Sequence, residues 1–176
     1  MENTNQKPVS KDETRISITL PSTAYFMSGI RDFTLNLVKN TTDFEEKWAY
    51  RFQSVIDELC NNAIEYGSTP GSDIRVIFSS VKGEYLQLAV EDTGTGKNSV
   101  KAAEVKKLFD ERRTPGYVFT GIRGRGLAKI VGEWTDEIHF EDREGGGLRI
   151  TVKKFLKDPR FNSSLLKPHE SVVLDS

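Results

Sequence analysis

Two residues four positions apart, Glu58 and Asn62, offer the first chemistry in this chain. They lie in the stretch VIDELCNNAIEYGS, Val55 to Ser68. At about 100° per residue, a helix here has two faces. Phe52, Val55, Ile56, Leu59, Cys60 and Ala63 fall on one side. Glu58, Asn62 and Glu65 fall on the other, with Asn61 at its edge. Residues i and i+4 are neighbours on a helix surface. A carboxylate beside a carboxamide presents hard oxygen atoms suited to a water or a hydrated magnesium ion. The same pattern also fits the solvated polar face of an ordinary amphipathic helix.

Two further stretches carry chemistry. Asp92-Thr93-Gly94-Thr95-Gly96 follows the apolar run Tyr85 to Glu91. An aspartate at a strand end can accept a hydrogen bond from an amine, such as the exocyclic amino group of adenine. Gly94 and Gly96 permit unusual dihedrals and the close approach of a ligand. A plain turn uses the same residue types. Downstream, Gly121-Ile122-Arg123-Gly124-Arg125-Gly126 opens a helical pattern from Leu127 to about Trp134. Glycines before a helix N-terminus can present N–H groups to phosphates. Arg123 and Arg125 could meet phosphate oxygens or a partner carboxylate, or simply face solvent. The surroundings lack a parallel βαβ unit and a Gly-Lys-Ser/Thr run. Neither a dinucleotide fingerprint nor a P-loop is expected.

These stretches need elements to position them. Thr14 to Leu20 alternates as a strand and stops at Pro21. Ser22 or Thr23 can cap a helix from Ala24 to about Lys39, and Thr41, Thr42 or Asp43 can cap a second that ends at Gly67. Ile74 to Val81 and Tyr85 to Glu91 form a hairpin across Lys82-Gly83. Val100 to Phe109 shows a short helical pattern, broken at Pro115-Gly116. Asp136 to Glu141 and Leu148 to Phe155 form a last hairpin across Glu144 to Gly147. Three helices and five strands in the order βααββαββ predict an α+β, two-layer sandwich. Its sheet should be mixed and mostly antiparallel, with helices on one face. Residues 14–155 read as one domain, between a flexible 1–13 and a tail at 156–176.

The chain has 176 residues and a net charge of −1, so binding to nucleic acid by bulk charge is not expected. No apolar run reaches the roughly 18 residues of a membrane span, and residues 1–13 lack the apolar core of a secretory signal. The single cysteine, Cys60, sits on the apolar helix face. A buried, inert thiol in a reducing, cytoplasmic setting fits.

Taken in order, Glu58-xxx-Asn62, Asp92-x-Gly94-x-Gly96 and Gly124-x-Gly126-Leu127 resemble the N, G1 and G2 boxes of the Bergerat-fold ATPases. That superfamily includes gyrase B, heat-shock chaperones, mismatch-repair ATPases and histidine kinases. Within it, ELCNNAIEYG and GGGLRITVKKFL look most like the anti-sigma factor serine/threonine kinases. The resemblance implies ATP and magnesium as ligands. Glu58 would be the general base and Asn62 the magnesium ligand. Asp92 would read the adenine amino group, with Gly94 and Gly96 shaping that side of the pocket. Gly124, Gly126 and Leu127 would shape the phosphate side, and residues 97–120 would form a short lid. The implied partners are a sigma factor and an anti-sigma-factor antagonist, and a homodimer is compatible with the family. A nucleotide-dependent binding module and the stand-alone ATPase domain of a two-component histidine kinase are the competing readings. A sensor kinase needs an acceptor histidine on a helical hairpin, which residues 1–13 do not supply. The sequence departs from the kinase pattern twice. Leu148 stands where a threonine is usual, and Tyr66 where histidine is frequent.

Overall fold

The computed structural model describes residues 13–118 and 126–157. The expectations for residues 1–12, for Arg123, Gly124 and Arg125, and for the tail from 158 onward lie outside the described residues. The elements are β1 (Glu13–Pro21), α1 (Met27–Thr41), α2 (Glu46–Asn62), β2 (Asp73–Val81), β3 (Tyr85–Glu91), α3 (Ala102–Arg112), α4 (Gly132–Trp134), β4 (Glu137–Asp142) and β5 (Leu148–Phe155). The strands make one sheet in the order β1-β2-β3-β5-β4. All four pairings are antiparallel, so the expected mixed sheet has no parallel pair among the described residues. Two of these pairings, β2–β3 and β4–β5, are hairpins that reverse the chain locally; β1–β2 and β3–β5 join strands that are distant in sequence.

Alternation along the strands sorts the two faces of the sheet. Val76 and Phe78 of β2, Leu86, Leu88 and Val90 of β3, and Ile150 and Val152 of β5 are buried in one core. The same core takes Ile30 and Val38 of α1 and Phe52, Val55, Ile56 and Leu59 of α2. The apolar face read from the sequence of α2 is therefore the buried face, and its polar residues are left at the surface of the core. The opposite face of the sheet carries a register row of charges. Arg75 pairs with Glu91, Glu91 with Arg149, and Arg149 with Glu141.

Helix boundaries depart from the sequence reading in instructive ways. Thr23 does cap the first helical segment, its side chain accepting from the Tyr25 N–H. Thr42 serves the end of α1 instead of the start of α2. Its hydroxyl donates to the Val38 carbonyl at 2.7 Å and accepts from the Phe44 N–H at 3.3 Å. α2 begins at Glu46 with no side-chain cap at Glu45. After Asn62 the helix widens into a π-helical turn, Ala63–Gly67, and then breaks into extended backbone at Ser68. Such wide turns insert into helices frequently at functional sites.

The short helical pattern after Gly96 is a full helix, α3, which makes a fourth. Its capping residue is remote. Lys101 precedes it without a side-chain hydrogen bond, and the Ala102 N–H donates to Asp142 Oδ1 at 3.0 Å, from the end of β4. Phe109 of α3 packs on Phe140 of β4, ring centres 5.5 Å apart. α3 is thus fastened at both ends to the last hairpin. Replacing a capping acceptor typically costs about 1 kcal/mol. Asp142→Ala should lower global stability by about that amount, while amide exchange speeds up first at residues 102–105. Uniform loss of protection across α1 and α2 would show that Asp142 supports the whole fold instead.

Candidate functional site

A cavity of about 340 Å³ opens between α2, α3, β3 and β5. Its walls are mainly apolar, with Leu59, Val90, Val105, Leu108, Leu127, Leu148 and Ile150 among them. Asp92, Asn62, Tyr66 and Arg112 supply polar groups. A concave apolar slot of this size with a few placed polar groups is the usual form of a small-molecule site.

Asp92 sits at the end of β3 and is 7 % exposed. Burying a carboxylate demands hydrogen bonds. Its Oδ1 accepts from the Gly94 N–H at 2.9 Å and from the Leu148 N–H at 3.0 Å. The first of these requires the turn that Gly94 makes at φ +68°, a conformation that side chains rarely allow. A Cβ at Gly67 would overlap the second carboxylate oxygen, and one at Gly96 would overlap the Tyr66 carbonyl. The end of α2 and the Asp92 loop are therefore in direct contact, which the absence of side chains at these glycines permits. The Asp92 carbonyl accepts from Arg143. Burial pushes the Asp92 carboxyl above its ordinary range, against the pull of the Leu148 and Gly94 N–H groups and the Arg143 charge. The leucine at position 148 does not disturb this arrangement, because the support for Asp92 comes from its main-chain N–H. What a threonine would add, a hydroxyl in the cavity, is replaced by apolar surface.

Glu58 and Asn62 stand together as the spacing implies. The Asn62 Nδ2 donates to Glu58 Oε1 at 2.9 Å and to the Glu58 carbonyl at 2.8 Å. This commits the amide nitrogen and leaves the carbonyl oxygen of Asn62 for a ligand. The Leu127 backbone N–H also lies near the Glu58 carboxylate and favours its charged form. A Cβ at Gly126 would overlap the Glu58 carboxylate. So Gly126 and Leu127, although distant in sequence, come to the same point as the helical pair. Gly124 lies outside the described residues. Burial raises the Glu58 pKa, opposed by the Asn62 hydrogen bond and helped by Asp57 and Glu65. Cys60, on the buried side of α2, is pushed up to about 12 by burial and is an inert thiol.

One neutral carboxamide oxygen suits magnesium that keeps waters and takes phosphate oxygens as its other ligands. Among the described residues no group of three His, Cys, Asp or Glu could hold an ion by itself. The donor set fits an ion brought in with a phosphate, in the way the sequence implies.

Several residues near the site escaped the sequence reading. Arg112 lines the cavity from the last turn of α3. Glu91, 1 % exposed beside Asp92, accepts from Arg149, with Arg143 at 3.5 Å and Arg75 at 3.8 Å. This cluster holds the β3–β5 pairing on the far side of the sheet from the cavity, and Arg143 extends it to the Asp92 backbone. Only the alternation of β3 could have pointed to Glu91, since the partners are set by register.

The sequence matches, over residues 49–158, the family model of the histidine kinase-, DNA gyrase B- and HSP90-like ATPases. The match covers more than half of the chain, from α2 to the end of β5, and the chain belongs to this family. Domains of this type bind ATP, usually with magnesium. No curated protein matches the chain. Among the described residues, no helix is long and apolar enough to cross a membrane.

The raised pKa of Glu58 has a measurable consequence. The folded protein holds this proton more tightly than the unfolded chain does, whose glutamate titrates near 4.5. The ionised side chain therefore costs stability above its folded pKa, and this cost fades as the pH falls to 4.5 and below. Glu58→Gln should raise the melting temperature of the free protein at pH 7 and lose that advantage near pH 4. A variant less stable than wild type at pH 7 would show that the carboxylate holds the fold together.

Proposed function

We propose that the protein is an ATP-dependent serine/threonine protein kinase of the anti-sigma-factor type. One observation carries the catalytic part: Glu58 is hydrogen-bonded to Asn62, which lines the cavity together with Leu127, and burial raises the Glu58 pKa above the usual carboxylate range. A carboxylate made more basic by burial suits removal of a hydroxyl proton. In the proposed reaction a serine or threonine hydroxyl of a protein substrate attacks the γ-phosphorus. The bond to the β–γ bridging oxygen breaks, ADP leaves, and Glu58 takes the hydroxyl proton. Asp92, on the cavity wall, would fix the adenine, with Gly94 and Gly96 forming the loop beside it. Asn62 would hold a magnesium ion, whose chemistry when bound is to offset phosphate charge. Gly124, Gly126 and Leu127 would border the phosphates.

The partner assignment rests on the resemblance of ELCNNAIEYG and GGGLRITVKKFL to those kinases. A sigma factor would be held by the kinase, and phosphorylation of the antagonist would decide which partner is kept. The setting would be cytoplasmic, without direct contact to nucleic acid.

A second reading, a nucleotide-dependent binding module without transfer, is favoured by one feature. The Asn62 hydrogen bond and the Leu127 backbone contact both lower the proton affinity of the Glu58 carboxylate, which works against a role as base. Glu58→Gln separates the two. It keeps the shape and removes the charge, so ATP affinity should stay near wild type while phosphotransfer to a cognate antagonist drops by at least about 100-fold. Intact transfer in the variant would remove Glu58 from the role of base. Wild type that binds ATP and transfers nothing to any antagonist would favour the binding module.

A further inference from the structure

α3 ends in two adjacent arginines with different surroundings. The Arg113 guanidinium stacks over Phe109, 5.2 Å from the ring centre, and packs beside Gly132. Arg112 instead lines the cavity, and its Nε is buried without a hydrogen-bond acceptor among the described residues. It is also the one lysine or arginine among the described residues that line this cavity. A guanidinium stays charged at any relevant pH, and a buried N–H with no acceptor is unfavourable. The two carboxylates of the site do not meet the need. Asp92 Oδ1 takes N–H groups from Gly94 and Leu148, and Glu58 takes one from Asn62 with the Leu127 N–H near it. A purely structural duty for Arg112 has little left to explain. α3 is already fastened by Asp142 at its start and by Phe109 on Phe140 near its end.

We propose that Arg112 is a phosphate-recognising cation of the cavity. Its guanidinium pairs with a phosphate oxygen of the bound nucleotide, and so makes the site prefer a nucleotide to the bare nucleoside. The proposal rests on the ATP reading of the cavity. The sequence alone gives Arg112 no role.

The test titrates the full chain with ATP and, separately, with adenosine, in the presence of magnesium, for wild type, Arg112→Gln and Arg112→Lys. In Arg112→Gln, ATP affinity should fall by about 10- to 100-fold, the range for a lost hydrogen bond to a charged group, while adenosine affinity stays at the wild-type value. Arg112→Lys should recover part of the loss, because it restores the charge without the planar fork. Unchanged ATP affinity in Arg112→Gln would overturn the proposal. So would equal losses for ATP and adenosine, which would mark Arg112 as a support of the cavity wall. Wild type that binds adenosine as tightly as ATP would remove the phosphate contact and leave the adenine pocket standing. Wild type that binds neither would overturn the nucleotide reading, and the proposal with it.

Discussion

A buried carboxylate must find hydrogen-bond donors, and Asp92 finds them in two different parts of the chain. Gly94 supplies one from the loop after β3, and Leu148 supplies the other from the start of β5. Leaving such a group unsatisfied would cost more than the roughly 2–7 kcal/mol of a neutral polar group. That cost fixes the register of β5 against β3 at this end of the sheet. It also explains the glycines. Gly67 at the end of α2 leaves room for the second Asp92 oxygen, and Gly147, at φ +93°, passes close to the Asp92 carbonyl. The apolar cavity between helices and sheet forms where these constraints meet.

Another part of the cavity wall, Leu59 and Asn62, comes from α2. Its buried face decides how the helix is rotated against the sheet, and that rotation presents Glu58 and Asn62 together. The chain closes on this pair from the far side, where the Leu127 N–H meets the Glu58 carboxylate. Both carboxylates of the site carry the cost of burial, as their raised pKa values record. A site of this kind trades stability for reactivity: groups that would be comfortable in water are held where a ligand can use them. The charged cluster around Glu91 lies on the opposite face of the sheet, and it secures β3 and β5 without intruding on the cavity.

Much of this was legible in the sequence, for identifiable reasons. The 100° periodicity of Phe52 to Ala63 gave the buried face of α2 and, by subtraction, the polar pair. The strand–Asp–x–Gly–x–Gly order placed Asp92 at a strand end. What stayed hidden depends on long-range geometry. Asp142 caps α3 from forty residues away, so no local capping signal marks the helix start. Thr42 looked like a cap for α2 and closes α1, because a hydroxyl between two helices can serve either. Arg112 became visible only when α3 was placed against the cavity, and Glu91 only when register put three arginines around it. The π-helical turn at Ala63–Gly67 leaves no periodic trace, since five residues are too few to shift the pattern.

We propose that the cavity receives an adenine nucleotide with Asp92 reading the base. Competing titrations of the wild-type protein with ATP and GTP in magnesium test it most directly. An aspartate that accepts from an exocyclic amine favours adenine, whereas guanine presents a carbonyl at the equivalent ring position and would set two acceptors against each other. ATP should bind at least about tenfold more tightly than GTP, the least expected when a charged acceptor faces the wrong partner. Equal affinity for the two nucleotides, or binding of neither, would contradict the assignment of Asp92 and of the cavity.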